Sequence, residues 1–169
     1  MKYIILSLSF IILLVSCQKT TTTQNREDML RTGRWKITAA QGYALTPTGK
    51  SLIADFLTGA NTTVTIPGCN QDDYFIFGPD YSGTLADGGT KCTPGDPDGI
   101  QFTWAPFGAD AGISIYGLPA IFIGQNVNNG KFSYFSDSKF ILNFSFMQQD
   151  PIDYTKNDTF YITYTFNRI

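Results

Sequence analysis

The chain has 169 residues, 12 basic against 14 acidic, and no histidine. A near-neutral balance of this kind leaves no electrostatic footprint for nucleic acid. The absence of histidine removes the commonest general base, the commonest zinc ligand and every His-containing triad. With no free cluster of Asp, Glu, Tyr or Lys standing out, the chain is not expected to be an enzyme or to carry a cofactor.

The first element is Lys2 followed by the apolar run Tyr3–Val15, the layout of a secretory signal. The run is too short for a membrane-spanning helix, which needs about twenty apolar residues. It closes on Leu14-Val15-Ser16-Cys17, which resembles the lipobox of bacterial lipoproteins. The resemblance implies cleavage after Ser16 and a lipid on Cys17, so that residues 1–16 are a signal peptide. Residues 17–26 are then the lipidated cysteine and a polar, Thr-rich tether that buries nothing. Residues 27–169 are left as one domain, long enough for a sizeable core. Membrane attachment is therefore expected through the lipid, in the bacterial envelope, at the outer membrane and facing the periplasm.

Glu27–Arg31 could form one helical turn. Gly33-Arg34-Trp35-Lys36-Ile37 opens the first strand, with Trp35, Ile37 and Ala39 sharing a face. Ser51–Leu57 reads as helix or loop, and Thr62–Ile66, rich in β-branched residues, as a strand. Next come Tyr74–Phe77 and Tyr81–Leu85, turning at Gly78-Pro79-Asp80, with Cys69 and Cys92 just outside. Antiparallel pairing brings such flanking positions together, as a disulfide requires. Closing the 24-residue loop between them would stabilise the fold by about 3 kcal/mol in the chain-entropy model. Three cysteines leave one odd, and the count closes if Cys17 carries lipid while Cys69 and Cys92 pair.

Further strands are expected at Ile100–Ala105, Gly112–Tyr116, Ala120–Ile123, Phe132–Phe135, Lys139–Met147 and Thr159–Asn167. In the last two, Leu142, Phe144 and Phe146 alternate with Ile141, Asn143 and Ser145, as Phe160, Ile162, Tyr164 and Phe166 do with Tyr161, Thr163 and Thr165. Many short period-2 segments indicate an all-β sandwich or up-and-down barrel.

Gly33-x-Trp35 after a helical turn resembles the opening of lipocalins. Cys69-x-x-Asp72-Asp73, Phe77, Gly83, Cys92, Trp104 and the closing Tyr161–Phe166 strand resemble the lipocalin-like lipoproteins of Bacteroidota. The resemblance covers residues 27–169 and implies an eight-stranded antiparallel barrel. It also implies a basic residue of the last strand, here Arg168, packed over Trp35. Such a barrel can hold one small ligand or be filled by its own side chains. Phe102, Trp104, Phe132, Tyr134, Phe144 and Phe146 are the candidates to line or fill it. A small apolar or amphipathic ligand is the expected partner, and an envelope protein the alternative.

The remaining acidic motifs read as structure. Asp72 and Asp73 are adjacent on a strand and point to opposite faces, which suits a polar strand entry. Asp96-Pro97-Asp98-Gly99 lacks the further ligands of a calcium loop and reads as a turn. Asp150-Pro151-Ile152-Asp153-Tyr154 reads as a loop near the barrel mouth. No metal site is expected.

Overall fold

The structure is a computed structural model that describes residues 25–46, 49–119, 121–122, 127–149 and 157–169. Cys17, the signal run and Asp150–Tyr154 lie outside the described residues.

Helix α1 (Arg26–Arg31) is the expected short turn. Asn25 caps it by accepting the Glu27 N–H, and Glu27 pairs with Arg31 one turn on at 2.5 Å. Among the described residues nine strands follow: β1 (Arg34–Thr46), β2 (Gly49–Asp55), β3 (Tyr74–Phe77), β4 (Ser82–Ala86) and β5 (Gly99–Phe107), then β6 (Gly112–Tyr116), β7 (Val127–Phe135), β8 (Lys139–Gln149) and β9 (Asn157–Arg168). They pair in the order β2-β1-β3-β4-β5-β6-β7-β8-β9, and β1 also pairs with β9. Eight of them therefore close an antiparallel, lipocalin-like barrel, and β2 is an extra strand on β1. The closing seam runs from Trp35 opposite Arg168 to Ala44 opposite Phe160, so the first and last strands are neighbours and an open sandwich is excluded.

Alternation sets the interior. Phe140, Leu142 and Phe144 of β8 and Ile162, Tyr164 and Phe166 of β9 are buried, as are Phe75, Phe77, Leu85, Phe102, Trp104, Ile113 and Ile115 around the wall. Small residues stand opposite large ones so that the rings fit. Gly83 faces Phe102 in register, and a Cβ there would lie 2.3 Å from the Phe102 ring. Gly130 likewise leaves room for Phe144, whose ring is 2.7 Å from where a Cβ would be.

Four expectations are corrected. Ser51–Asp55, the larger part of the expected Ser51–Leu57 helix or loop, is strand: Gly49–Asp55 pairs with β1, because β1 runs beyond β3 and needs a partner on that side, and only Phe56 and Leu57 lie in the turn that follows. Thr62–Ile66 forms no strand. The segment is held by Ile66 N–H donating to Phe56 O and by the Gln71 amide donating to Leu57 O and Ile66 O. Ile121 and Phe122 of the expected Ala120–Ile123 strand lie in a turn, with Phe122 N–H bonded to Leu118 O. Gly117, at φ 93°, breaks the extended path just before it. Ala120 and Ile123 fall outside the described residues. Finally, Ala39 does not share the face of Trp35 and Ile37. A bulge between Ile37 and Ala39 shifts the register against β9 and turns Ala40, fully buried, inward instead.

Candidate functional site

The barrel has a closed end and a mouth. At the closed end Trp35 is fully buried, its indole N–H donating to Leu30 O at 2.9 Å and its ring 4.8 Å from Phe140. Arg168, opposite Trp35, donates from its guanidinium to Thr32 O at 2.6 Å and Asp137 O at 3.3 Å. Gly33 wedges between the two: a Cβ there would meet Arg168 Nε at 3.0 Å and the indole at 3.1 Å. The second tryptophan carries a cation that the sequence did not reveal. Arg31 lies 5.5 Å from the Trp104 ring and 5.7 Å from Tyr81, while the Trp104 N–H donates to Ser82 O. No local pattern links Arg31 to Trp104, which only the docking of α1 brings together.

The six aromatic residues expected around the lumen do not surround one cavity. Phe102, Trp104 and Phe144 are buried in the interior. Phe102 meets Phe75 and Phe77 edge-on at 5.7 and 5.6 Å, and Trp104 meets Phe77 at 5.3 Å. Phe132 packs near the closed end against Phe135 and Phe140. Tyr134 is half exposed, because a bulge between Phe132 and Tyr134 shifts the pairing with β8 and turns it outward. Phe146 stays on the inward row of β8 yet is 44% exposed, because it lies above the packed rings.

The mouth is built around that residue. Phe146 pairs in register with Phe160, and their rings stack at 5.7 Å. Below them Phe144, Tyr164 and Phe122 meet at 5.1–5.8 Å. Phe56, Ile66, Leu118 and Ile121, all buried, complete this layer from the non-strand segments. Tyr164 is buried, its hydroxyl has no hydrogen-bond partner among the described residues, and burial pushes its ionisation far above the ordinary phenol range.

Beside the mouth, Cys69 and Cys92 form the expected disulfide with Cα atoms 4.9 Å apart. The Asp72-Asp73 pair serves the turn next to it. Gly88 N–H donates to Asp73 at 2.9 Å, Gly89 N–H to Asp72 at 2.7 Å, and Asn70 to Asp73 at 3.1 Å. Gly88 must be glycine here, since a Cβ would lie 2.4 Å from the Asp72 carbonyl oxygen. A groove of about 290 Å3 follows, lined by Asn70, Asp87, Cys92, Asp96, Pro97 and Ile100. Lys91 holds its far side by donating to Asp96 O at 2.9 Å and Asp98 at 2.5 Å. The turn itself lies just before the expected Asp96–Gly99, where Asp96 N–H donates to Thr93 O, and Gly99 already belongs to β5. Among the described residues no group of His, Cys, Asp or Glu is arranged to hold a metal ion.

Burial raises the pKa of Asp73 against the opposing hydrogen bonds from Gly88 and Asn70. A carboxyl whose folded pKa exceeds its unfolded one favours folding most below the unfolded pKa and loses that contribution as pH rises through the folded value. Asparagine cannot ionise. Asp73→Asn should therefore gain stability relative to the parent on going from about pH 3 to about pH 6, measured by urea denaturation across that range.

No protein-family model matches this chain, and no curated protein matches it either.

Proposed function

We propose that the chain is a lipid-anchored envelope lipoprotein, akin to the lipocalin-like lipoproteins of Bacteroidota, that binds a small apolar or amphipathic ligand at its barrel mouth. The observation that carries the binding half is the stacked Phe146–Phe160 pair, standing on the inward rows of β8 and β9 with Phe146 in reach of solvent. Rings on inward rows above a filled core are where a ligand's apolar part would replace water, at about 25 cal/mol per Å2 covered. The ligand would rest on the aromatic layer, since the interior beneath is occupied by Phe75, Phe77, Phe102 and Trp104.

The anchoring half is supported by the apolar run that ends at Cys17 and by the Cys69–Cys92 bridge, which leaves Cys17 as the odd thiol. Cys17→Ala should move the protein from the detergent phase to the aqueous phase on phase separation. Unchanged partitioning would count against the lipid.

Ligand binding is tested by fluorescence titration with fatty acids or an environment-sensitive dye. Saturable binding is expected, with Phe146→Asp weakening it about tenfold or more, the equivalent of one uncovered aromatic ring. Binding that the substitution leaves unchanged would remove the mouth as its site. The filled interior favours a second reading, an accessory lipoprotein that holds an envelope protein. Native mass spectrometry of protein taken from its own envelope separates the two, through a co-purifying small molecule or a co-purifying chain.

A further inference from the structure

We infer that the mouth receives a neutral amphipathic ligand head first, its carbonyl or hydroxyl group bonded to the Tyr164 hydroxyl and its apolar body lying on Phe146 and Phe160. This deepens the mouth-binding reading above and rests on it.

The observation is a polar atom in a layer that has no structural use for one. Tyr164 is 1% exposed, and its hydroxyl has no hydrogen-bond partner among the described residues. Protein interiors rarely leave a buried hydroxyl unpaired, because it gives up water with nothing in exchange. Phenylalanine would fill the same layer without that cost, and β8 and β9 use it on their inward rows at Phe140, Phe144, Phe160 and Phe166. The side chains that meet Tyr164 or pair with it are apolar: the Phe122 and Phe144 rings at 5.1 and 5.4 Å, Leu142 on β8 and Ala40 on β1. None of these can turn to supply a partner. The hydroxyl is therefore left for a group that arrives from outside.

The path from the mouth is covered by side chains that no strand holds. Opposite Phe160, Ile162 and Tyr164, strand β1 carries Ala44, Gly42 and Ala40, which leave a lane along the wall. Phe56 fills that lane, its ring 3.1 Å from where a Cβ of Gly42 would be, and Phe122 closes it over Tyr164. Both stand in turns, after β2 and β6, so their rings move aside without breaking a strand ladder. Four residues, about 13 Å of strand, separate Tyr164 from Phe160. A ligand whose head reaches Tyr164 therefore has its body beside β9 up to the Phe146–Phe160 pair.

Charge decides the class of head. Among the described residues the basic side chain of the inward rows is Arg168, opposite Trp35 at the closed end, whereas Lys36, Lys50 and Lys139 are on outward rows. A carboxylate beside Tyr164 would have no counter-charge, and burying an unpaired charge costs far more than burying a neutral dipole. An ammonium head fares no better, since the buried Asp73 carboxyl is already taken by Gly88 N–H and Asn70.

The test compares dodecanol with dodecanoate at about pH 8, where the acid is ionised. Both displace an environment-sensitive dye from the mature chain and from its Tyr164→Phe variant. The substitution should weaken dodecanol about fivefold, the worth of one hydrogen bond, and leave the weaker binding of dodecanoate unchanged. The variant should also melt no lower than the parent, since its hydroxyl had no partner to lose. Dodecanol binding that the variant leaves unchanged, or an equal or larger loss for dodecanoate, overturns the role of Tyr164. So does a lowered melting temperature, which would show the hydroxyl already bonded within the protein. In each of these cases saturable binding that Phe146→Asp weakens leaves the mouth reading standing. No saturable binding of any probe fails that reading, and this inference with it.

Discussion

Replacing Trp35 with alanine should destabilise the domain by about 3–5 kcal/mol, the range for a fully buried tryptophan. That is a large share of the roughly 5–15 kcal/mol available to a domain of this size. Three losses combine. The indole is wholly buried and packs edge-on against Phe140 at 4.8 Å. Phe140 in turn stacks on Phe166 at 4.4 Å, so the cavity would open beneath the best-packed pair of the β8–β9 seam. The Leu30 carbonyl would lose the N–H that holds α1 to the barrel at 2.9 Å. Trp35→Phe separates these contributions. It keeps most of the ring contact and should cost clearly less, with the loss of the hydrogen bond contributing about 1 kcal/mol. Urea denaturation followed by far-ultraviolet circular dichroism gives both numbers. A Trp35→Ala midpoint equal to the parent's would mean that the closed end does not depend on this residue.

Removing the disulfide should be the next largest effect, about 2–5 kcal/mol for Cys69→Ser with Cys92→Ser. The bridge does more than shorten the unfolded chain. Cys69 ends the segment that fills the mouth with Phe56 and Ile66, and Cys92 lies in the loop between β4 and β5. Linking them holds the Gly88–Gly89 turn against Asp72 and Asp73, whose carboxylates it needs as acceptors. Local exchange should therefore rise most in residues 56–73 and 87–98, and least in β8 and β9. Peptide mapping without reductant should show the two cysteines linked. A double variant as stable as the parent would show that the hydrogen bonds alone hold the mouth.

The sequence by itself determined the wall of the barrel. A strand with one face buried must alternate, and that local pattern is written residue by residue in Phe140–Phe146 and Phe160–Phe166. The cysteine pair was legible for the same reason, since two strands joined by a tight turn fix the distance between their flanks. Tertiary structure alone decided how the ends are filled. Ile66 and Phe122 are apolar because they plug the mouth, and a buried plug demands the same side chains as a buried strand. Only the presence of a partner ladder distinguishes the two, and β1 found its extra partner in Gly49–Asp55 instead. Tyr134 and Ala39 turned away from their expected faces because a bulge adds one residue, and one residue reverses every side chain beyond it. Arg31 came to lie over Trp104 for a related reason. Their 73 residues of separation are bridged by barrel closure, which no pattern within either segment encodes.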